Sequence, residues 1–217
     1  MRITRGLRRV GAYVRSAPGT YVWLAILFVT TVALHHMSAD FERDFLRQRS
    51  TNLEELSRNP VRVLIASAMW IDGGRWLPYA VLYSVFHAPA ERWLGTVRWL
   101  VVCVAAHFLA TLISQGVLLV AIERGYAPHS EAEALDIGVS YALAGVVGVL
   151  TYRIPGPWRY VYLFAVLVFY GLPLTAGPTF TDLGHFVSVL IGLACHPLTR
   201  GREIPRNPKE TGVGNTG

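Results

Sequence analysis

The residues of this chain whose types and surroundings could do chemistry together are Ser140 and His185. A serine hydroxyl is a weak nucleophile until a base takes its proton, and a neutral imidazole within hydrogen-bond reach can act as that base. Ser140 lies in the stretch DIGVSYALAGVVG beginning at Asp136, and His185 in TDLGHFVSVLIG beginning at Thr181. A helix rises about 1.5 Å per residue. Each group therefore sits about one turn below the start of its own apolar stretch, and helices entering from one side would hold them at the same depth.

Both stretches carry small residues at spacing four, Ser140, Ala144 and Gly148 in one, Gly184, Ser188 and Gly192 in the other. Such stripes let two helix backbones approach closely, so these two faces are expected to meet. A plainer reading stands beside the catalytic one. Serine in an apolar helix commonly bonds back to its own carbonyls, and a lone buried histidine is often a packing partner. Matching depth and paired stripes add weight to the nucleophile–base reading.

The elements that must position the pair follow from composition. Of the 217 residues 53% are hydrophobic and 16% charged, and the apolar ones fall into long blocks: 21–37, 76–90, 99–122, 135–151, 158–176 and 180–198. Crossing the bilayer takes roughly 20 mostly apolar residues. The expectation is an all-α membrane protein, a bundle of six transmembrane helices, with a basic leader at 1–19, a membrane domain at 20–199 and a disordered tail at 200–217.

The net charge of +6 does not point to nucleic acid, because the basic residues collect on one side of a six-span chain. Arg5, Arg8, Arg9 and Arg15 precede the first block, Arg92 and Arg98 separate the second from the third, Arg153 and Arg159 the fourth from the fifth, and Arg200 to Lys209 follow the sixth. By the positive-inside rule these segments, and both termini, are cytoplasmic. The Ser140 and His185 ends then face outward. Arginine far outnumbers lysine, a compositional sign of a bacterial cell membrane.

Segment 38–59, with Phe41, Phe45, Leu46, Leu53 and Leu56 among charges, is expected to form amphipathic helix at the interface. Residues 60–71 are apolar but too short to cross, and Asp72, Gly73 and Gly74 break the chain before the second span. Cys103 and Cys195 stand alone, without metal-ligand spacing, and are read as packing residues; no cofactor or metal is expected. His107 is expected to bond between helices, and Asp136 and Asp182 to be solvated at the rim.

Gly138-Val139-Ser140 at the start of a small-residue helix, with His185 and Gly192 on a later span, resembles the rhomboid family of intramembrane serine proteases. The segment from Glu91 to Leu100 resembles that family's E-x-x-x-G-x-x-x-x-L stretch. The resemblance implies a rhomboid-like bundle of six spans, Ser140 as nucleophile and His185 as base, with no aspartate as third member.

The chain departs from the family pattern in two respects. Tyr141 stands where G-x-S-G has its last glycine, and the family's H-x-x-x-N falls on Arg75 and Tyr79, counting back from Glu91. Arg75 and Tyr79, with the Ser140 N–H beside Gly138, are candidate substitutes for the oxyanion donors. The expected activity is cleavage of a membrane-embedded substrate near the outer face. The alternative is an inactive relative that binds other transmembrane segments. In either case the partners are transmembrane segments and the lipid bilayer.

Overall fold

The computed structural model describes residues 10–202. The first nine residues of the expected leader and the expected tail from 203 onward lie outside the described residues. Those described are helical, and no strand occurs among them. Backbone groups that meet lipid must be satisfied within their own segment, and helices do this.

Helix α1 (Pro18–His35) starts on a proline, whose missing N–H is one that a helix's first turn leaves unpaired anyway. The segment that follows, 38–67, holds α2 (Ala39–Arg47), α3 (Leu53–Arg58) and the short apolar α4 (Pro60–Ser67). In α2, Phe41 is exposed and Leu46 buried, the amphipathic pattern expected there. The chain then turns at Asp72–Gly74, where Gly73 and Gly74 take φ of +71° and +62°. Only glycine adopts such angles readily.

Helix α5 (Trp76–Leu82) runs through a π turn (Tyr83–His87) into α6 (Ala88–Leu94), and α7 (Thr96–Glu123) follows after Gly95. Helix α8 (Val139–Leu150) starts later than the apolar block implied. Helix α9 (Trp158–Gly171) is followed by a short 3-10 turn, and α10 (Phe180–Ala194) ends the bundle. Segments 18–35, 96–123 and 158–175 are long and apolar enough to cross a membrane, and 139–153 and 180–194 are shorter apolar helices. With Phe164 and Phe169 exposed on the outside of α9 and Leu172 exposed just after it, the chain is a membrane protein.

The core is the trio α7, α8 and α10. Every residue of α8 is buried except Ser140, which explains why that helix is apolar on all sides. Helix α9 is peripheral, with only Val166 buried. The small-residue expectation is met in part. The α8 face that meets α10 carries Ser140, which lies against His185, and Gly148, but it also runs through Tyr141 and Gly145: a Cβ on Gly192 would strike the Gly145 carbonyl, and one on Gly148 the Val189 carbonyl. Helix–helix packing follows ridges at both three- and four-residue spacing, and a spacing-four count captured only one of them.

Glu91 clasps the end of the bundle at which α1 and α7 start. Its Oε1 accepts from the Gly19 N–H and the Thr96 hydroxyl, each at 2.8 Å, and its Oε2 from the Thr20 N–H and hydroxyl, each at 2.7 Å. The E-x-x-x-G segment thus ties the start of α1 to the start of α7, with the carboxylate at a helix N-terminus where negative charge is favoured. Glu91→Ala would leave these donors buried and unpaired. It should destabilise the protein by about 2–4 kcal/mol, seen as a lowered melting temperature in detergent. Glu91→Gln, which keeps one acceptor oxygen, should lose less.

Candidate active site at Ser140 and His185

Ser140 is the second residue of α8, and His185 lies one turn into α10. Helix α10 is started by a capping box. The Thr179 hydroxyl accepts the Asp182 N–H, and the Asp182 carboxylate accepts the Thr179 N–H and hydroxyl. Asp182 is therefore committed to the helix start, partly exposed at the rim as expected. His185 Nε2 and Ser140 Oγ are 2.8 Å apart, and both residues are half-buried. With the other ring nitrogen protonated, Nε2 accepts the serine O–H, and the Thr181 carbonyl one turn earlier lies near the ring.

The pair opens into a cavity of about 370 Å³ lined by Leu143, Phe169, Tyr170, Pro173 and Asp182. Leu143, Phe169 and Tyr170 also line a neighbouring crevice of about 460 Å³ beside α9, which reaches Leu82 at the end of α5 and Phe86 in the π turn. The two spaces therefore share a wall.

At the start of α8, Tyr141 and Ala142 both donate to the Gly138 carbonyl, and the Ser140 N–H makes no backbone hydrogen bond among the described residues. A free N–H at a helix N-terminus is suited to developing negative charge. Gly138 itself is required by space, because a Cβ there would run into the His107 ring. His107 Nε2 lies 2.8 Å from the Leu64 carbonyl and 3.1 Å from the Ser67 hydroxyl. The expected interhelical bond thus links α7 to α4 directly behind the Ser140 turn.

Arg75 is exposed and makes no hydrogen bond among the described residues. Tyr79 packs with Ile71, Tyr83 and Val139, and neither lines the Ser140 cavity. One turn on, the Tyr83 hydroxyl reaches the Val139 carbonyl at 3.5 Å. The π turn at Tyr83–His87 adds a residue to the helical repeat, so counting back from Glu91 at regular spacing does not carry helix faces through it. Nothing in the sequence marks that turn, and the position of Tyr83 was not foreseen.

Asp136 is a second correction. It is not a solvated rim carboxylate but 2% exposed, with Oδ2 accepting from the Thr51 hydroxyl at 3.1 Å and Gln115 Nε2 at 3.2 Å. Its carbonyl accepts the Thr51 N–H, and its N–H donates to the Ser50 hydroxyl. Segment 38–67 folds over the start of α8 through Ser50 and Thr51, which buries this carboxyl and partners it, as a buried polar group requires. Cys103 is buried beside His87, whose Nδ1 accepts the Trp99 indole N–H at 3.1 Å. Among the described residues no group of three His, Cys, Asp or Glu could hold a metal ion.

Geometrically the site can activate a hydroxyl against an imidazole beside a free N–H, next to an apolar crevice. Nothing matches the chain among curated proteins or among solved structures. A family profile described as rhomboid-like protein matches residues 12–205, a range that includes the Glu91 clasp, the Ser140 turn and His185. On that match the chain belongs to the rhomboid-like protein family.

Proposed function

We propose that this protein is an intramembrane serine protease in which Ser140 attacks a peptide carbonyl and His185 takes its proton. The observation that carries this reading is the 2.8 Å contact between Ser140 Oγ and His185 Nε2. The bond formed joins Oγ to the carbonyl carbon. The oxyanion that results is stabilised by the Ser140 N–H and the positive end of α8. His185 then gives its proton to the leaving amine. In the second half-reaction it takes a proton from water, which cleaves the acyl-enzyme.

The substrate in this reading is a membrane-embedded polypeptide that reaches Ser140 through the crevice beside α9 and is cut near the outer face. The reading includes six spans within residues 20–199, the composite helix 76–94 serving as the second. Both termini are cytoplasmic in a bacterial cell membrane. It is supported by the basic residues between and beyond the spans and by the serine being the one residue of α8 that is only half-buried.

A serine-directed fluorophosphonate should label the purified full chain, and mass spectrometry should find the adduct on Ser140. An adduct on another residue would overturn the assignment. The second reading, an inactive relative that binds transmembrane segments, is favoured by one observation: no Asn, Gln, Arg or Lys lines the Ser140 cavity. No labelling, together with co-purification of single-span membrane proteins, would be its outcome.

A further inference from the structure

Tyr141 follows the candidate nucleophile directly, at the position where the family pattern has glycine. Its ring is fully buried, although a residue of that size fits there only if the facing helix gives way. The facing residue is Gly184, immediately before His185, and a Cβ on Gly184 would overlap the Tyr141 ring. The two sizes are complementary, a large side chain after the nucleophile and none on the residue before the base. The Tyr141 ring then meets the His185 imidazole edge-on, with centroids 5.0 Å apart and planes at 80°.

The setting holds the tyrosine firmly. Its ring belongs to the buried α8, its hydroxyl is buried towards Ser114, Asp136 and Thr181, and His107 lies 6.4 Å away on its other side. The other ring near His185, Tyr170 at 6.1 Å, is carried by the peripheral α9. An imidazole on a helix turns about χ2 in a broad well, so its Nε2 direction is set by its neighbours. Edge-to-face contact between rings is a preferred arrangement.

We propose that Tyr141, seated in the notch left by Gly184, is the positioning residue that fixes the His185 imidazole toward Ser140. The role belongs to the ring and not to the hydroxyl, which makes no hydrogen bond among the described residues. It rests on the Ser140–His185 reading only where activity is the readout.

The test uses the full chain in detergent with ring-labelled histidine, the His185 resonance being assigned from its loss in His185→Asn. Tyr141→Phe should leave that resonance in place and keep the fluorophosphonate labelling rate within about threefold. Tyr141→Leu should shift the resonance and slow labelling about 10- to 100-fold, the scale on which small misplacements act. Gly184→Ala, which crowds the same ring, should shift the resonance in an otherwise native chain and decides the matter if Tyr141→Leu does not fold. An unmoved resonance in Tyr141→Leu and Gly184→Ala, or a Tyr141→Phe effect as large as that of Tyr141→Leu, overturns the proposal. A wild type that never labels sinks the protease reading alone, because the resonance still reports on Tyr141.

Discussion

Ser140→Ala should abolish fluorophosphonate labelling and substrate hydrolysis, and His185→Ala should slow both about 1,000-fold while leaving the melting temperature near that of the wild type. The two effects differ in kind. Without Oγ no acyl-enzyme can form, whereas without the imidazole the hydroxyl remains and only its activation is lost, a contribution of about 100- to 10,000-fold in general-base catalysis. Stability should change little because both side chains are half-buried at the cavity and bond mainly to each other. Persistent labelling in Ser140→Ala would end the assignment. A His185→Ala variant that labels at the wild-type rate would leave the serine as nucleophile but remove the dyad.

The distance between these two groups follows from features that the sequence displays and others that it hides. Their depth was legible because each follows a polar start and a helix descends by a fixed rise per residue. The break before α5 was legible because consecutive glycines after an aspartate punctuate a chain, and both take positive φ. The fate of Asp136 was not, because its burial depends on Ser50 and Thr51, more than eighty residues earlier, folding over it. Nor were the faces of α5 legible beyond the π turn, since a one-residue insertion in the helical repeat leaves no compositional trace. The contact face of α8 was half legible: Gly148 lies on it, while the stripe at spacing four missed Gly145.

Those hidden features share a physical origin in close approach between separate elements. The Ser140 turn is hemmed in by His107 against Gly138, by Tyr141 against Gly184 and by Ser50 and Thr51 over Asp136. Each contact works because one partner is a glycine or a short polar side chain. The site is thus set less by the residues that would do chemistry than by the absence of bulk around them. Loss of catalysis through steric change is therefore expected well away from the cavity.

The strongest such case is Gly192, two turns below His185 on α10. Its Cβ would strike the Gly145 carbonyl oxygen and stand 2.8 Å from the carbonyl carbon. Both partners are backbone, so no side-chain rotation relieves the overlap and the helices must separate. Gly192→Val should slow fluorophosphonate labelling about 100-fold or more, because a shift near 1 Å at the reacting atoms has that effect. It should also destabilise the fold by about 1–3 kcal/mol, the range for overpacking. Gly116→Ala on α7 is the matched control: a Cβ there meets nothing within 4 Å, so labelling should be unchanged. Conversely, Gly192→Val labelling at the wild-type rate would mean that α10 can move away from α8 without parting His185 from Ser140. The placement of the base would then depend on its immediate neighbours, Tyr141 first among them, and not on the depth of backbone contact below.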